Sequence, residues 1–498
     1  MDGIALRRLL SGPDDDRFTG IAFLDTVTRG GEPALLSGGE ASGSLVMLSL
    51  ADGLAPQEAE VSWLTRPSGI FRPQESLAFE VGTRSILALT GGDTGGTAVF
   101  EMTGTGALQP RGALVDPAGR AQRLSELATV ETPSGAWVIG GSAERDAVVT
   151  YRIRADLRLV ETDRAEDAVK APLEGLSDLE TVRIGAQTFV VAAASGDSGL
   201  TAYRLADNGA LQLTDTISSK HGLWVSGMED IATIATGGQH FVVGVSAESG
   251  TIASVRLNPM GVFFVADIVM DDLNTRFGGA VSVDTFEVQG RDFLVTGGAD
   301  AGLALHEVLP GGRLFHHQSV AQDAQWSLGP VQAVEAVRHD TEVQIFAGGA
   351  GAGLAQLVLP LDDFGERRMG GAGDDLLSGT HRDDIILGDA GNDTLRGGAG
   401  DDTLIAGPGR DWLEGGAGAD VFVFRADGQR DVVADFQPGL DRLHLGDWGR
   451  IYDPSALRID ERHDGAAIIT WGREELLVLG AGGARLPAAS WDSEDFLF

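Results

Sequence analysis

Short apolar runs recur through the first 360 residues at intervals of about 50–53 residues. In each interval a small-residue turn precedes an apolar strand, as Gly199 precedes LTAYRL. A second apolar strand lies upstream (TFVVAAA), with a more alternating strand before it (SDLETVRI) and a fourth downstream (GALQLTDTI). Such runs, separated by Gly, Asn and Asp, are typical of strands and turns. The recurring turn positions are Gly43, Gly96, Asp146, Gly199, Gly250, Gly302 and Gly353.

Seven four-stranded units predict a seven-bladed β-propeller over residues 1–361, in which neighbouring blades cover each other's faces. The seventh unit stops near Pro360 after three strands, and an unassigned strand, IALRRLL, lies at residues 4–10. Pairing that strand with the last blade would close the ring and leave few free edges. The alternatives are six blades, eight blades or a pair of β-sandwiches.

A different period, of nine residues, begins at Gly370. Six units run to Val423 without an insertion: GGAGDDLLS, GTHRDDIIL, GDAGNDTLR, GGAGDDTLI, AGPGRDWLE and GGAGADVFV. Each unit holds an Asp at its sixth position and an apolar residue at its eighth. The apolar residues are Leu377, Ile386, Leu395, Leu404, Leu413 and Phe422.

These units resemble the RTX family of secreted, calcium-binding nonapeptide-repeat proteins, whose motif is GGxGxDxUx. The resemblance implies a parallel β-roll over residues 370–423, in which two nonapeptides make one coil and stacked turns share Ca²⁺. Glycines let the turns adopt positive φ, and carboxylates and carbonyls supply the oxygen ligands that Ca²⁺ prefers. The alternative is a flexible Gly/Asp-rich linker. Three stacked turns on each edge imply about four ions.

The resemblance assigns the metal-binding role to the glycines and aspartates of the motif. Asp375, Asp393 and Asp411 would form one edge, and Asp384, Asp402 and Asp420 the other. In the second nonapeptide Thr380, His381 and Arg382 replace the glycine-rich part, so we expect a weakened site beside Asp384. The accompanying glycines are Gly371, Gly373, Gly391, Gly398, Gly400, Gly409, Gly416 and Gly418.

Charge and composition narrow the possible partners. The chain of 498 residues has a formal net charge of −36, which argues against general binding to nucleic acid or to anionic membranes. Residues 370–423 alone hold ten Asp and one Glu against three Arg, so we expect the roll to fold only when a cation binds. The absence of Cys excludes disulfides and thiol nucleophiles. No apolar run is long enough for a membrane span.

The tail, residues 424–498, is expected to form a β cap on the roll, with 362–369 as a linker before it. The sequence DVVADF at 431–436 is similar to the strand that often follows RTX rolls. The N-terminus lacks the apolar core of a signal peptide, and the terminal WDSEDFLF resembles the uncleaved signal of type I secretion substrates. An ordinary terminal strand is the alternative. We therefore expect a secreted protein that engages a type I exporter.

Catalytic motifs are incomplete. His306-Glu307 is followed by Pro310 where a zinc protease needs its second His, and no GxSxG is present. The innermost strands do place carboxylates at matching positions, where they could hold a metal ion or simply cap turns. These candidates are Glu126, Asp178, Glu180, Asp230, Asp284 and Glu335.

The sequence as a whole predicts an all-β, secreted, calcium-binding protein whose propeller binds an extracellular ligand that the sequence does not identify. The alternative is an extracellular metal-dependent hydrolase, similar to propeller lactonases, that uses the channel carboxylates. The two functions differ in whether the channel holds a metal with an open coordination position.

Overall fold

The computed structural model describes most of the chain: residues 4–10, 16–29, 32–50, 57–64, 73–91, 96–103, 107–132, 135–142, 146–271, 275, 277–323, 326, 328–351, 353–362, 364–449, 451 and 453–497. Its regular structure there is β-strand with a few short 3-10 turns. The chain divides into two compact units. The first contains Ile4–Val288 and Asp292–Leu359, and the second contains the chain from Pro360 onward.

The first unit is a seven-bladed β-propeller built from seven four-stranded antiparallel sheets. The first blade contains β2 (Ile21–Arg29), β3 (Glu32–Gly39), β4 (Ser44–Ser49) and β5 (Gln57–Trp63). The second contains β6 (Pro73–Val81), β7 (Arg84–Gly91), β8 (Ala98–Met102) and β9 (Leu108–Ala113). The third contains β10 (Leu127–Thr132), β11 (Gly135–Ser142), β12 (Ala147–Ile153) and β13 (Leu159–Glu166).

The next three blades repeat this order with little variation in length. The fourth contains β14 (Leu176–Ile184), β15 (Gln187–Ala194), β16 (Gly199–Leu205) and β17 (Leu211–Ser218). The fifth contains β18 (Met228–Thr236), β19 (Gln239–Ser246), β20 (Thr251–Leu257) and β21 (Phe263–Met270). The sixth contains β22 (Ala280–Val288), β23 (Arg291–Gly298), β24 (Gly302–Val308) and β25 (Leu314–Ala321). The second and third strands of each blade are buried on both faces. That burial explains why they read as continuous apolar runs.

The last blade joins the two ends of the propeller. It contains β26 (Val331–Arg338), β27 (Glu342–Gly349) and β28 (Leu354–Pro360), and β1 (Ala5–Leu10) supplies its fourth strand by pairing antiparallel with β28. The Arg7 guanidinium donates two hydrogen bonds of 2.6 Å to the Glu342 carboxylate. Arg8 donates to Gln356 at 2.7 Å. The closing strand is thus held by side chains as well as by the sheet.

Aromatic side chains pack between neighbouring blades onto turn glycines. A Cβ at Gly209, Gly261 or Gly312 would lie 2.3, 2.5 and 2.2 Å from the rings of Trp137, Phe189 and Phe241, each in the preceding blade. All three glycines have positive φ, between 78° and 86°. Only glycine meets both requirements without strain, so these turns fix how closely the blades approach.

The second unit is a parallel β-roll in which the strands alternate between two sheets. One sheet is ordered β29 (Phe364–Met369), β31 (Asp383–Leu387), β33 (Thr403–Ile405), β35 (Val421–Val423), β37 (Arg442–His444) and β41 (Phe496–Leu497). The other is ordered β30 (Leu376–Ser378), β32 (Thr394–Ala399), β34 (Trp412–Ala417), β36 (Arg430–Phe436), β40 (Glu474–Gly480), β39 (Ala467–Trp471) and β38 (Arg458–Glu461).

The predicted apolar residues at position eight fill the roll. Ile386, Leu395, Leu404, Leu413 and Phe422 are fully buried in one continuous core. Leu377, in the first coil, packs against that core while remaining partly exposed. Their alignment follows from the parallel pairing of residues 18 apart, such as Leu395 with Leu413.

The segment 362–369, expected as a linker, contains strand β29 instead. Phe364 is fully buried, and β29 pairs in parallel with β31. Parallel pairing uses backbone groups and does not require the glycines and aspartate of the motif. A coil can therefore begin before the first recognisable nonapeptide.

The tail continues both sheets of the roll and covers its last coil. The two antiparallel strands β39 and β38 extend one sheet beyond β40, and the terminal strand β41 pairs with β37. Trp491 stacks between Phe436 and Phe496, with ring centroids 5.1 and 5.5 Å apart. The acidic and hydrophobic terminus is therefore folded in this structure. Within the described residues, no helix is both long and apolar enough to cross a membrane.

Candidate metal centre

Successive turns on each edge of the roll stack so closely that their glycines have no room for a side chain. A Cβ at Gly409 would lie 1.6 Å from the carbonyl oxygen of Gly391, and one at Gly407 would lie 1.7 Å from that of Asp389. Gly409 also has φ +151° and Gly407 φ +97°, values that L side chains rarely adopt. The glycines thus bring rows of backbone carbonyls together at each edge.

The aspartates at position six form a hydrogen-bonded ladder along each edge. On one edge the Asp375 N–H donates to Asp393 Oδ1 at 2.8 Å, and the Asp393 N–H to Asp411 Oδ1 at 2.8 Å. On the other edge Asp384 N–H donates to Asp402 at 2.8 Å and Asp402 N–H to Asp420 at 2.9 Å. Oδ1 of each later aspartate is thereby fixed by the coil before it.

The second oxygen, Oδ2, has no hydrogen-bond partner in four of these aspartates, and the atom is buried in each. A buried carboxylate without a partner is costly unless a cation neutralises it. Burial raises the pKa of Asp402 to about 8, of Asp420 to about 7 and of Asp411 to about 6, with neighbouring carboxylates adding to the rise. The four residues are Asp393, Asp402, Asp411 and Asp420.

The first coil differs because its aspartates already have partners. Asp375 Oδ2 accepts from the Gly371 N–H at 2.7 Å. Asp384 Oδ2 accepts from the Thr380 N–H and from its hydroxyl, the latter at 2.9 Å. Thr380 is the residue that replaces a motif glycine. The Arg382 guanidinium donates to the Phe364 carbonyl at 3.4 Å.

The ladders also extend beyond the last nonapeptide, which the sequence reasoning missed. Asp411 N–H donates to Asp431 Oδ1 at 2.9 Å, and Asp420 N–H to Asp441 Oδ1 at 3.1 Å. The spacings are 20 and 21 residues instead of 18, so a strict nine-residue period does not reveal them. Burial raises the pKa of Asp431 to about 8.

A further ladder runs through position five. Asp374 Oδ1 accepts from the Asn392 N–H at 2.7 Å, and Asp383 Oδ1 accepts from the Asp401 N–H at 2.7 Å. In the sequence, the Asp-Asp pairs at positions five and six of the repeats indicate this second ladder. Position five therefore joins one coil to the next in the same way as position six.

The residues of the roll suit a hard cation. No group of three or more His, Cys, Asp or Glu side chains within the described ranges is placed to hold a metal ion. Here the unpartnered carboxylate oxygens lie among stacked backbone carbonyls, so the available donors are oxygens of both kinds. Ca²⁺ binds through such mixed oxygen donors.

Comparison with known families agrees with this geometry. Residues 369–404 and 396–427 match the family model HemolysinCabind, described as RTX calcium-binding nonapeptide repeat, four copies. The chain carries RTX calcium-binding repeats. RTX repeats bind calcium in general, and proteins that contain them are typically secreted. No curated protein matches the chain.

Outside the RTX roll, the propeller encloses a cavity of about 570 Å³ between its innermost strands. The structure places all six predicted channel carboxylates in its lining, and it adds Asp25, Glu75 and Glu229. Asp25 and Glu75 lie on β2 and β6, in the first two blades. The 52-residue spacing between channel carboxylates of the later blades does not extend to Asp25 and Glu75.

Most of these channel carboxylates bond one blade to the next. Asp178 Oδ2 accepts from the Ile231 N–H at 2.8 Å, and Asp230 Oδ2 from the Val283 N–H at 2.8 Å. In the same way, Asp284 Oδ2 accepts from the Ala336 N–H at 2.7 Å. The remaining links are Glu75 with Leu127 N–H at 3.2 Å, Glu335 with the Thr26 hydroxyl, and Asp25 with the Ser76 hydroxyl.

Burial, together with the crowding of acids, raises the pKa of several carboxylates in this cavity. Burial, with the nearby Asp178 charge, raises the pKa of both Glu126 and Glu180 to about 8. Burial raises the pKa of Asp25 and Asp284 to about 6, and that of Glu335 well above its ordinary value. These carboxyl groups can share protons with one another and can accept hydrogen bonds from the backbone of the next blade.

Proposed function

We propose that this chain is a secreted RTX protein whose roll folds around calcium and whose propeller binds an extracellular ligand. One observation carries the calcium proposal. Four buried aspartate oxygens recur at the same repeat position and have no partner in the protein. The cost of burying such oxygens is offset when each one ligates a cation.

We assign one ion to each unpartnered oxygen, which gives about four ions, two on each edge. Asp393 and Asp411 serve one edge, and Asp402 and Asp420 serve the other. Stacked carbonyls of the glycine turns complete each coordination sphere. The position beside Asp384 holds no ion in this scheme, because Thr380 already occupies its Oδ2.

The charge of the roll makes its folding depend on calcium. Residues 370–423 carry a net charge of −8, and this density opposes a compact state without cations. Extracellular calcium modules bind with dissociation constants of about 10⁻⁴–10⁻³ M. Submicromolar calcium would therefore leave the roll unfolded, and millimolar calcium would fold it.

The secretion proposal rests on the RTX repeats and on the acidic, hydrophobic C-terminus. We assign residues 1–361 to the propeller, 370–423 to the repeats and 424–498 to a cap that carries the export signal for a type I exporter. Release of the protein into the medium by cells that carry the exporter checks this assignment. Retention inside those cells would contradict it.

For the propeller, the channel carboxylates support a structural role over a metal-dependent hydrolase. Asp178, Asp230 and Asp284 each accept a backbone N–H from the next blade. A carboxylate engaged in this way holds the ring of blades together and has one oxygen fewer to offer a metal. The ligand of the propeller then binds elsewhere on its surface.

Calcium binding to variants of the full chain tests the assignment of ions. Equilibrium dialysis should give about four ions per wild-type chain. Asp402→Asn should remove about one ion and raise the calcium concentration needed for folding, measured by circular dichroism. Asp384→Asn is the matched control, because it changes the same repeat position where Thr380 already fills the site.

Two outcomes would count against this assignment. One is a chain whose circular dichroism does not respond to calcium. The other is an equal loss of bound ions in Asp384→Asn and Asp402→Asn.

A further inference from the structure

His306 is a fully buried histidine whose ring has no hydrogen-bond partner. It lies on β24, in the sixth blade, and none of its surface is exposed to solvent. Neither Nδ1 nor Nε2 of the ring has a partner. A neutral imidazole carries one N–H donor and one acceptor nitrogen, so both groups are left unsatisfied here. The calcium proposal does not use this residue.

The ring of His306 lies in the core between the fifth and sixth blades, a boundary that we call the five–six seam. Residues two apart on a strand face the same side, and the neighbours Ala304 and Val308 belong to one buried cluster with Val245 of the fifth blade. The ring also makes an edge contact with Phe277, a member of that cluster, at 5.5 Å between centroids. His306 is therefore surrounded there by apolar side chains.

Among the described residues, the titratable group that faces His306 is a second histidine. His316, opposite His306 on β25, has its ring centroid 5.0 Å away. Its Nε2 is bonded to the Ser319 hydroxyl at 2.8 Å. His317 and Glu307 point to the other face of this sheet, where they pair with each other at 2.9 Å. A charge on His306 would thus meet histidines and no carboxylate partner.

The two carboxylates that the fifth blade directs at this seam bind backbone groups. At the outer strands, Asp267 Oδ2 accepts from the Leu314 N–H at 2.9 Å. At the inner strands, Asp230 Oδ2 accepts from the Val283 N–H at 2.8 Å. These bonds hold the two ends of the seam, and His306 lies in the core between them.

Protonation would give the His306 ring a positive charge and a second N–H donor. Burial lowers the pKa of His306 well below its ordinary value, and the charges of His316 and His317 lower it further. A hydrated histidine takes up its proton at about pH 6.5. Below that pH an opened seam binds a proton that the closed seam does not. The equilibrium for closure is thus fully favourable above about pH 6.5 and falls about tenfold for each pH unit below it, down to the pKa of the closed state.

The equivalent position in the other blades holds no histidine. His306 lies four residues after the turn residue Gly302, and the residues four after the other six turn residues are neutral throughout the acid range. An acid response of this kind therefore belongs to one seam of the seven. These residues are Met47, Phe100, Thr150, Tyr203, Ser254 and Leu357.

We propose that the five–six seam is an acid-sensitive opening point of the propeller, at which hydration of the protonated His306 separates two blades while the other seams stay closed. Opening lets water satisfy both N–H groups of the ring, which no acceptor reaches in the closed seam. Local opening of this kind is cheaper than unfolding of the whole unit. The device acts in the propeller, so it and the calcium proposal can fail independently.

Hydrogen exchange of the full chain in saturating calcium tests the proposal, with wild type and His306→Met compared at pH 7 and at pH 5. Methionine is neutral and similar in volume, and comparison at equal pH cancels the intrinsic exchange rate. From pH 7 to pH 5, protection of amides in β21, β24 and β25 should fall in the wild type relative to His306→Met, by up to about thirtyfold. Amides of β12, β13, β16 and β17, at seams without a histidine, should show no such difference.

Two further variants complete the test. His306→Ser introduces the residue that the fifth blade has at this position, Ser254, and gives a second neutral variant with a smaller side chain. His221→Met is the matched control, because His221 is exposed at the end of the fourth blade, and it should behave as the wild type. Thermal midpoints at pH 7 show which variants fold. Equal pH responses in the wild type and in a folded His306 variant overturn the proposal, and so does a loss of protection shared by all seven blades.

Discussion

At the scale of single residues, one threonine separates a satisfied aspartate oxygen from an unpartnered one in the roll. Asp384 and Asp402 occupy the same repeat position and have the same buried setting. They differ because Thr380 supplies two donors to Asp384 where the motif has glycine. The hydroxyl and N–H of Thr380 thus fill the position beside Asp384 that we propose a cation fills beside Asp402.

A glycine substitution tests whether the stacked carbonyls are essential. Gly409→Ala would place a Cβ 1.6 Å from the Gly391 oxygen at φ +151°, so we expect a loss of about 2–4 kcal/mol in the stability of the roll. The measurement is the calcium concentration at the midpoint of folding, which should rise.

Gly373→Ala provides the control at the same repeat position in the first coil. A Cβ there meets nothing within 4 Å, so its midpoint should stay close to that of the wild type. Equal rises in both variants would show that the contact with the Gly391 carbonyl does not set the cost, because the loss of glycine flexibility in the unfolded chain would stabilise both variants alike.

At the scale of elements, β1 is a short strand on which closure of the whole propeller depends. Its six residues complete a blade whose other three strands lie more than 300 positions along the chain. The Arg7–Glu342 pair joins β1 to β27, across the intervening strand β28. Glu342 is 8% exposed, which makes its loss of a partner expensive.

We therefore expect Arg7→Met to lower the stability of the propeller by about 2–4 kcal/mol. Differential scanning calorimetry in saturating calcium should show a lower midpoint for the propeller transition. Arg111→Met, which breaks an exposed pair in the second blade, should change that midpoint little. A closing strand held by the sheet alone would give the same small change for both variants.

The sequence predicts elements well where period and side-chain phase agree. The repeats predict the roll, its filled interior and the rows of aspartates along its two edges, because a residue at position six or eight returns to the same place in every coil. Strand β29 was missed because its coil uses backbone pairing without motif residues. Asp431 and Asp441 were missed because the last turns contain two or three extra residues, which break the period while the ladder continues.

The channel was predicted only in part for a related reason. Asp178 and Asp230 keep the 52-residue spacing, whereas in the first two blades Asp25 and Glu75 depart from it. No pattern in the chain shows which carboxylate accepts a neighbour's N–H. That outcome depends on the register between blades, which is set by packing at the inner strands.

At the scale of the whole molecule, acidic groups have different effects in the two units. In the roll, buried carboxylate oxygens without partners favour the binding of cations. In the propeller they lie in a shared cavity where burial and neighbouring carboxylates raise the pKa of several of them. We therefore expect the roll to depend on calcium and the propeller to be sensitive to pH.

The direction of that pH effect follows from the raised pKa values. The pKa of Glu180 is about 8 in the folded propeller against 4.5 for an ordinary glutamate, so between these values the folded state holds a proton that the unfolded state has lost. Stability is greatest below about pH 4.5 for this group and falls as pH rises toward 8.

Glu180→Gln should remove this contribution, because glutamine stays neutral at every pH. In saturating calcium, the propeller midpoint of the wild type should fall relative to Glu180→Gln between pH 5 and 8, by an amount equivalent to about 2–4 kcal/mol. Glu131→Gln, on an exposed part of β10, should track the wild type across the range. Parallel curves for wild type and Glu180→Gln would mean that Glu180 ionises in the fold as it does in water, and that the cavity is open enough to hydrate its carboxylates.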